Sequence, residues 1–420
     1  MTDFLHDAVF VVPMILLGVA LLKLSLFVSF SSRHYGHYKK HHASRRKAYP
    51  PLVSVVIPCY NEELTLANCV RSLLKQTYHC YEIIIVDDGS TDNTLAVARQ
   101  LAAAHRNIWV LTKQNGGKAS ALNHGVAHAH GKIVVSMDAD SMFLVSTLEE
   151  LVLSFEDPAV VAVGGNVRVA NRRKILNKHQ ALEYISGLTV QRRAFAHIGC
   201  MQVISGAIGA FRRDTLLEIG GYSTDTIVED MDLTVELARR GCKIVYNPRA
   251  IAYTEAPESI HDFLRQRYRW TFGGFQVAAK HKDILFKRKL NRMGTVGLPY
   301  FVIFPWVDVL VSSVLLLAIA RVVVTGDGRG LVIFYVAMSC LQASVMFFAL
   351  VMDRERKRLA LLALADNLFY NHLISFTTLR AGINYLLKKR STWNKLQRHG
   401  RNTLQPVPVV ADRTYVDTEV

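Results

Sequence analysis

Two aspartates one residue apart, Asp138 and Asp140, close the apolar run KIVVSMDAD. If that run is a strand of a buried sheet, both carboxylates emerge where the sheet meets solvent. Two such groups can share a hard divalent cation and bring it to the phosphate oxygens of a substrate. A solvated strand-end turn would have the same composition, so the pair alone is weak evidence for a metal site.

A second acidic pair, Asp87 and Asp88, lies in IIIVDDGSTDNT at the end of another apolar run. A carboxylate in this position can accept hydrogen bonds from a nucleobase or a ribose, or it can cap the helix that follows. Ser90, Thr91 or Asp92 already supplies a capping oxygen. We therefore expect the two aspartates to be free for a ligand.

Two glycine-containing segments could approach a substrate closely. In KQNGGKAS, Gly116, Gly117 and Lys118 stand at a predicted helix start, where backbone donors and a lysine suit a phosphate. This is not a P-loop, and taken singly it has little weight. The segment SGAIGAFRR, which contains Ser205 and Gly206, could admit a sugar ring or could simply be a tight turn.

Glu229 and Asp230 follow the turn-rich GGYSTDT and precede the helical pattern MDLTVELARRG. A carboxylate there could take a proton from an acceptor hydroxyl group as a general base. Two acids at a helix N-terminus are also stabilised by the helix dipole, without any catalytic role. The position alone does not separate these alternatives.

The segment QRYRW begins at Gln266, inside a helix that Ser259 and Asp262 are predicted to cap. Helical spacing places Gln266, Arg269 and Trp270 on one face. An indole ring can support a sugar, and an arginine can bind phosphate. The alternative is a membrane-surface anchor, for which Arg265 and Tyr268 are the better candidates. We expect those two side chains to face lipid.

Short β-rich runs alternate with helical patterns through the region that carries these residues. VSVVIP, EIIIVDDGS, NIWVLTK and KIVVSMDAD are predicted strands, and ELTLANCVRSLLKQ, TLAVARQLAAAH and ALNHGVAHAH are predicted helices. Such alternation predicts a parallel sheet built from βαβ units. Because parallel strands end at one edge, residues 61–62, 87–88 and 138–140 should collect there.

The chain combines 50% hydrophobic residues with a formal net charge of +16, which is unusual for one soluble domain. Residues 8–30 are apolar for long enough to cross a bilayer, and a basic segment follows. The positive-inside rule keeps that segment in the cytoplasm. No basic n-region or A-x-A site indicates a cleaved signal peptide. Since basic residues flank the apolar runs, they favour membrane lipids over nucleic acid as partners.

After residue 289 the chain becomes apolar again. Residues 297–324 and 331–352 are each long enough to span a membrane. Residues 359–387 are interrupted by polar side chains and followed by basic ones, which favours an interfacial or re-entrant helix over another span. The six cysteines have no CxxC spacing, which indicates reduced thiols.

Seven motifs occur in an order that resembles the membrane-bound family 2 inverting glycosyltransferases. They are VSVVIPCYNEE, IIIVDDGSTDNT, GGKASALNHG, MDAD, ISGAIGAFRR, IVED and QRYRW, within residues 50–280. This family includes synthases of cellulose, chitin, hyaluronan and poly-N-acetylglucosamine, and the predicted single N-terminal span, compact catalytic domain and few C-terminal spans resemble the last of these. The resemblance implies a GT-A fold, an α/β domain of Rossmann-like type with a mostly parallel sheet, flanked by transmembrane and interfacial helices.

The resemblance also implies roles for individual residues. Asp230 would be the general base, with Glu229 beside it, although IVED replaces the more usual TED. Asp138 and Asp140 would bind Mg²⁺ or Mn²⁺ with the diphosphate. The nucleotide-sugar would contact Pro58, Tyr60, Glu62, Asp88, Lys118 and Asp138. The acceptor and diphosphate would contact Ser205, Gly206, Gln266, Arg267, Arg269 and Trp270.

These expectations define a domain organisation and a function. The predicted parts are a transmembrane helix (1–32), a basic linker (33–50), a cytosolic glycosyltransferase domain (51–289), membrane or interfacial helices (290–390) and a basic, flexible cytosolic tail (391–420). The predicted function is polymerisation of N-acetylglucosamine from its UDP-sugar at the plasma (inner) membrane, alone, as a homo-oligomer or with a small membrane subunit. Transfer of one sugar to a lipid, or a silent regulatory subunit, are the alternatives.

Overall fold

The computed structural model describes residues 2–42, 50–287, 292–326 and 329–389. The predicted tail at 391–420, the end of the predicted linker at 43–49 and the predicted domain boundary near 289 therefore lie outside the described residues. The strands are β1 (Val53–Cys59), β2 (Tyr81–Asp87), β3 (Ile108–Thr112), β4 (Ile133–Ser136), β5 (Ser141–Phe143), β6 (Val160–Val169), β7 (Gly209–Arg212) and β8 (Lys243–Thr254).

Helices surround this sheet and extend beyond it. The α-helices are α1 (Thr2–His42), α2 (Leu66–Leu73), α3 (Thr94–Ala104), α4 (Lys118–Ala127), α5 (Thr147–Leu153), α6 (Ile175–Ile185), α7 (Arg192–His197), α8 (Arg213–Glu218), α9 (Glu229–Arg239), α10 (Ile260–Lys280), α11 (Leu298–Thr325), α12 (Arg329–Met352) and α13 (Tyr370–Leu386). Two π-helices (Ser186–Gln191 and Met293–Gly297) and two 3-10 helices (Lys282–Ile284 and Lys357–Leu368) complete the described elements.

The eight strands form one mixed sheet in the order β3-β2-β1-β4-β7-β6-β8-β5. β3, β2, β1 and β4 are mutually parallel, as are β6 and β8. β7 is antiparallel to both of its neighbours, and β5 is antiparallel to β8. The predicted α/β fold with a mostly parallel sheet is therefore confirmed, and so are the four strands and three helices predicted in its first half.

The sheet is buried on both faces because consecutive apolar residues point in opposite directions along a strand. Val55 and Ile57 of β1 pack with residues of α2 in one core cluster. Val56, between them, packs with α4 on the other face. Gly125 permits a close approach of α4, because a Cβ there would lie 2.4 Å from Val56 Cγ1. The apolar runs of the sequence thus fix the strands that carry the acidic residues.

The strand order brings the predicted acidic residues together. β1 lies between β2 and β4, so the strand order reverses at β1: β2 and β3 lie on one side of it and β4 on the other. In open α/β sheets a ligand binds in the crevice at such a point, outside the carboxyl ends of the strands. The segments that begin at Tyr60, Asp88 and Asp138 follow the carboxyl ends of these three neighbouring strands. The sequence prediction that they collect at one edge is confirmed.

Three stretches among the described residues are long and apolar enough to cross a membrane: Met14–Tyr38, Met293–Val324 and Val332–Met352. The first belongs to α1, which continues to His42 instead of ending at the predicted boundary of residue 32. Lys357–Leu368 and Tyr370–Leu386 form a pair bent by 50°, the geometry of a broken span or a re-entrant loop. Three of the described helices could therefore span a bilayer, or four spans could form if the bent pair is one of them.

A buried ion-pair network joins the sheet to the end of α12. Asp353 accepts a hydrogen bond from Arg193 at 3.1 Å, and Glu355 pairs with Arg172 at 3.0 Å. Arg168 lies 3.6 Å from both acids. Burial of this many charges is tolerated only with close partners, since an unpaired buried charge costs several kcal/mol. The network therefore fixes the sheet relative to the apolar helices.

Candidate active site

Asp88 at the end of β2 is held by the loop before α4. Its carboxylate accepts hydrogen bonds from the backbone N–H groups of Gly116 at 3.0 Å and Gly117 at 2.8 Å, and from Lys113 Nζ at 2.7 Å. Asp92 caps the following helix, as expected, by accepting from the Thr94 N–H at 2.9 Å. The inference drawn from that cap is wrong for Asp88, because its oxygens already have three donors.

The loop after β1 is tied to the loop after β2. Pro58 is in register with Val86 of β2, and Tyr60 is half-buried just beyond the strand. Asn61 has a left-handed φ of 56°, and its side chain accepts from the Thr91 N–H at 2.7 Å. Glu62 accepts a hydrogen bond from Thr65 Oγ1 at 2.6 Å. Pro58, Tyr60, Glu62 and Asp88 are thus placed at adjacent strand ends.

Lys118 is the ionic centre of the site. Its ammonium lies 2.6 Å from Asp138 Oδ1 and 2.9 Å from Glu229 Oε1, and so joins the end of β4 to the start of α9. Burial, which lowers the pKa of Lys118, is outweighed by Asp138, Glu229 and Asp230, so its pKa lies well above the usual value. Lys118 is therefore a fixed cation between two predicted functional segments.

Asp230 is oriented by two backbone donors. Its Oδ2 accepts from the Gly206 N–H at 3.0 Å, and its Oδ1 accepts from the Met231 N–H at 2.8 Å. Burial and the neighbouring Glu229 raise the pKa of Asp230, against the opposing effects of Lys118 and these donors. A raised pKa makes the carboxylate a stronger base than an exposed aspartate. This is the property that proton removal from a hydroxyl group requires.

The glycine-rich loop packs against this ionic centre. A Cβ on Gly206 would lie 2.6 Å from Lys118 Nζ, so the missing side chain permits the close approach. Ile204 donates from its backbone to Thr234 Oγ1 at 2.8 Å, which fixes the loop to α9. Ser205, between them, is half-buried. The arrangement places the Gly206 N–H at the Asp230 carboxylate.

Asp140 and Asp138 supply hard oxygen atoms of the kind that bind divalent cations. Asp140 is buried, and its Oδ1 accepts hydrogen bonds from Ser141 and Thr254, both at 3.3 Å. Within the described ranges, no three His, Cys, Asp or Glu side chains are grouped to hold a metal. The oxygen atoms of the two aspartates thus fit the chemistry of a divalent cation, and they are two ligands of such a site at most.

Helix α10 carries the QRYRW segment. Ser259 caps it as predicted, accepting from the Asp262 N–H at 3.1 Å. Gln266 and Arg267 are buried, and Trp270 is half-buried with its ring 6.2 Å from that of Tyr184. Arg267 Nη1 donates to Gln266 Oε1 at 2.6 Å, so both polar groups have protein partners.

Arg269 is half-buried, and no hydrogen bond or ion pair engages its guanidinium within the part of the chain that the structure describes. Arg265 lies near Asp262 at 3.8 Å and is partly exposed. Tyr268 is half-buried: its hydroxyl group accepts from Asn384 Nδ2 at 3.1 Å, and Arg380 lies over its ring, while the lipid contact of its exposed part stays a prediction. Both of those residues belong to α13.

Comparison with known proteins places the chain in a family. The family model described as "Glycosyltransferase like family 2" matches residues 50–273. The chain belongs to this family. That finding confirms the resemblance and the enzyme class predicted from the seven motifs.

The family includes curated relatives of defined activity. The chain is 34% identical over 226 residues to poly-beta-1,6-N-acetyl-D-glucosamine synthase of Staphylococcus aureus. This alignment covers 54% of this chain and 55% of the relative. The chain is 31% identical over 268 residues to the enzyme of that name from Staphylococcus epidermidis, covering 64% of this chain and 65% of the relative. The matches thus span between about half and two thirds of these relatives.

The glycosyltransferase fold is also found among solved structures. A mannosyltransferase from Pyrobaculum calidifontis, solved with GDP-Man and Mn²⁺, aligns with a TM-score of 0.55 and 22% identity. The alignment covers 83% of this chain and 99% of that one. This likeness confirms the GT-A fold class and carries no further conclusion about the site.

Three residues of this glycosyltransferase site were not predicted from its sequence. Lys113 binds Asp88, Glu183 binds Arg267, and Arg192 donates to the Gly165 carbonyl group at 3.2 Å. Burial lowers the pKa of Arg192, and Asp230 is among the groups that oppose the shift. Lys113 precedes a predicted motif and could have been considered. Glu183 and Arg192 lie in no motif, and only the folded chain brings them to the site.

Proposed function

We propose that this glycosyltransferase is a membrane-bound, inverting enzyme that extends a polysaccharide with N-acetylglucosamine from UDP-N-acetylglucosamine. The observation that carries the proposal is the Asp138–Lys118–Glu229 bridge with Asp230 beside it. It brings a phosphate-binding edge and a candidate base together. The similarity to two poly-beta-1,6-N-acetyl-D-glucosamine synthases supports the choice of sugar and of a polymeric product.

Two sides of the site have different tasks in this proposal. The donor side consists of the carboxyl ends of β1, β2 and β4 together with Lys118. Pro58, Tyr60 and Glu62 would bind the uridine, Asp88 would hold the Gly116–Gly117 loop beside them, and Lys118 would lie near the diphosphate. The acceptor side consists of α10 with Ser205 and Gly206, and here Trp270 would support a sugar ring and Arg269 would meet phosphate oxygens.

Asp230 would act on the acceptor hydroxyl group. It would take the proton as the hydroxyl oxygen attacks the anomeric carbon and UDP leaves, so that the configuration at that carbon is inverted. Burial and, after it, the neighbouring Glu229 keep the pKa of Asp230 raised. Lys118 offsets part of the negative charge that accumulates between donor and base.

Asp138 and Asp140 would hold Mg²⁺ or Mn²⁺. When bound, the cation stabilises the negative charge of the departing diphosphate. The aspartates' own contribution is to place two oxygen ligands at the end of β4. The carboxylate of Asp138 also contacts Lys118, so the ammonium and the cation-binding edge share one acidic residue.

A cavity among the apolar helices suits a growing polymer. Its volume is about 350 Å³, and its lining mixes aromatic rings with polar groups from α1, α11, α12 and α13. Lys23 and Asp308 approach each other to 3.8 Å on its wall. Charged residues at membrane depth mark polar pathways more often than lipid-facing surfaces. We propose that the protein lies in the plasma (inner) membrane, with the sheet domain in the cytoplasm and the cavity available to a polysaccharide; the apolar helices support this arrangement.

The test is UDP release by the full chain, purified in detergent and assayed with a panel of UDP-sugars, GDP-mannose and EDTA. We expect UDP-N-acetylglucosamine to give the highest rate, EDTA to abolish it, and the product to be a ladder of long chains. A single glycolipid product would mean that the chain is a lipid glycosyltransferase and not a polysaccharide synthase. No release from any donor by folded protein would make the chain a silent subunit. Addition of a small membrane partner is the control for incomplete assembly.

A further inference from the structure

Glu183, which belongs to no sequence motif, forms a charge pair with Arg267 of the QRYRW segment. Glu183, in the last turns of α6, accepts two hydrogen bonds from one guanidinium group. Arg267 Nε lies 3.1 Å from Glu183 Oε1, and Arg267 Nη2 lies 2.5 Å from Oε2. Such a two-point contact between planar groups fixes orientation as well as distance. Glu183 therefore fixes the orientation of the Arg267 guanidinium group.

Arg267 passes this constraint to other residues of the QRYRW segment. Its third donor binds Gln266 Oε1 at 2.6 Å. The guanidinium carbon Cζ lies 4.4 Å from the centre of the Trp270 ring and 4.7 Å from that of Phe263. Cation–π contact at these distances favours one tilt of the indole ring. Two residues expected to meet the acceptor, Gln266 and Trp270, are thus both in contact with Arg267.

Glu183 also connects this group to the C-terminal helices. Tyr370, the first residue of α13, donates its hydroxyl hydrogen to Glu183 Oε2. Tyr184, the next residue of α6, has its ring near Trp270. One carboxylate therefore links the glycosyltransferase domain, the motif helix and the helix pair that is bent by 50°.

Arg267 depends on this partner because it is buried. Only 4% of the residue is exposed, and Glu183 is the carboxylate that contacts its guanidinium among the described residues. Burial, which lowers the pKa of Arg267, is outweighed by the opposing effects of Glu183 and Tyr370, so its pKa is raised. Removing the acid would leave a buried cation without compensation, which strongly favours rearrangement of that side chain.

We propose that Glu183 is a positioning residue for the acceptor: through Arg267 it fixes the orientation of Trp270 and Gln266. The inference rests on the proposed function, since it assigns these two residues to the acceptor side. Glu183 itself needs no contact with substrate. It is not expected to affect the donor side, because Asp138, Lys118 and Asp88 make none of these contacts.

The experiment compares Glu183→Gln, Glu183→Asp and Tyr370→Phe with the unchanged chain. The first removes the charge, the second keeps it on a shorter side chain, and the third removes one hydrogen bond. Asp157→Asn is the matched control, because it breaks an exposed ion pair, with Lys243 at 2.7 Å, that includes no residue of α10. Each full-length protein is assayed with UDP-N-acetylglucosamine, with and without an N-acetylglucosamine oligomer as acceptor.

For Glu183→Gln we expect the KM for the oligomer to rise on the order of tenfold or more, because displacements near 1 Å at a reacting centre cost on the order of 10²-fold. The product chains should become shorter, while the donor KM and acceptor-free UDP release stay unchanged. The acceptor KM of Glu183→Asp should lie between those of Glu183→Gln and the unchanged chain. Tyr370→Phe should raise the acceptor KM by less than Glu183→Gln does. Asp157→Asn should match the unchanged chain.

Two results would overturn the inference. One is an unaltered acceptor KM and chain length in folded Glu183→Gln. The other is a fall of acceptor-free UDP release in step with the acceptor defect, since this indicates general damage. If Glu183→Gln does not fold, the same measurements on Tyr370→Phe and Glu183→Asp test the inference in its place. Failure of the proposed function is separate, because it would appear as absent polymer from the unchanged chain.

Discussion

Asp88 on the donor side binds backbone groups only 28 and 29 residues away in the chain, whereas Glu183 on the acceptor side binds partners 84 and 187 residues away. The first contact joins two consecutive βα loops of one sheet. The second joins the sheet domain to α10 and to a helix among the apolar segments. The donor side is therefore a local product of the parallel sheet, and the acceptor side depends on how the apolar helices pack.

This difference has a consequence for function. A donor side made of strand ends can bind nucleotide wherever the sheet folds. On the acceptor side, Glu183 and Tyr268 are hydrogen-bonded to residues of α13. This side can therefore be complete only when the apolar helices are in place. Donor binding and acceptor binding should therefore respond separately to most substitutions. Substitution of Lys118 or Asp230, which lie between the two sides, should impair the reaction as a whole.

The largest effect is expected at Asp230. Asp230→Asn keeps the shape of the side chain but removes the base, so UDP release in the presence of acceptor should fall by on the order of 10² to 10⁴. Asp225→Asn is the matched control, because Asp225 is an exposed acid in the loop before α9. A rate within a few-fold of the unchanged chain would remove Asp230 from the mechanism.

A large effect of a different kind is expected at Lys118. Lys118→Met removes the cation that lowers the pKa of Asp230, so that pKa should rise further. Since Asp230 works as a base only when ionised, the acid limb of the pH dependence of kcat/KM should move to higher pH. Both the donor KM and kcat should suffer, because Lys118 contacts Asp138 and Glu229. An acid limb that stays in place would mean that another group limits the rate.

A moderate and selective effect is expected at Asp88. Asp88→Asn removes a charged acceptor from the Gly116 and Gly117 N–H groups, and hydrogen bonds to charged groups contribute about 1.5–3 kcal/mol. The donor KM should therefore rise by about tenfold, while the acceptor KM stays the same. Lys113→Met is the companion variant, because it removes the third donor and leaves the carboxylate in place. Equal changes in both KM values would contradict the separation of the two sides.

The sequence predicted the donor side well for physical reasons. Continuous apolar runs identify β1, β2 and β4, and helical patterns identify the helices between them. Because parallel strands must end at one edge, the positions of Asp88 and Asp138 follow. The partners of Asp88 did not follow, because Gly116 and Gly117 were read as phosphate donors and not as donors to the protein's own carboxylate.

The acceptor side was predicted less completely. Helical spacing placed Gln266, Arg269 and Trp270 on one face, and the Ser259 cap is present. Arg267 was predicted to contact the acceptor and diphosphate, but its ion pair with Glu183 was not predicted, because Glu183 has no sequence signature. Contacts between distant segments are decided by packing, and one sequence contains little information about which buried acid meets which buried base.

The smallest effect is expected at Tyr268, where the sequence favoured a lipid contact. Its hydroxyl group instead accepts a hydrogen bond from Asn384 of α13, and its ring stacks on Phe272 at 5.6 Å. Tyr268→Phe keeps the stack and removes the hydrogen bond, which should lower the free energy of unfolding by about 0.5–1.5 kcal/mol. Thermal unfolding in two detergents of different chain length measures this. A helix-to-helix contact predicts the same small loss in both, whereas a lipid anchor predicts a loss that changes with the detergent. Asn384→Ala should reproduce the loss, and the double variant should add little to it, because both changes remove one interaction.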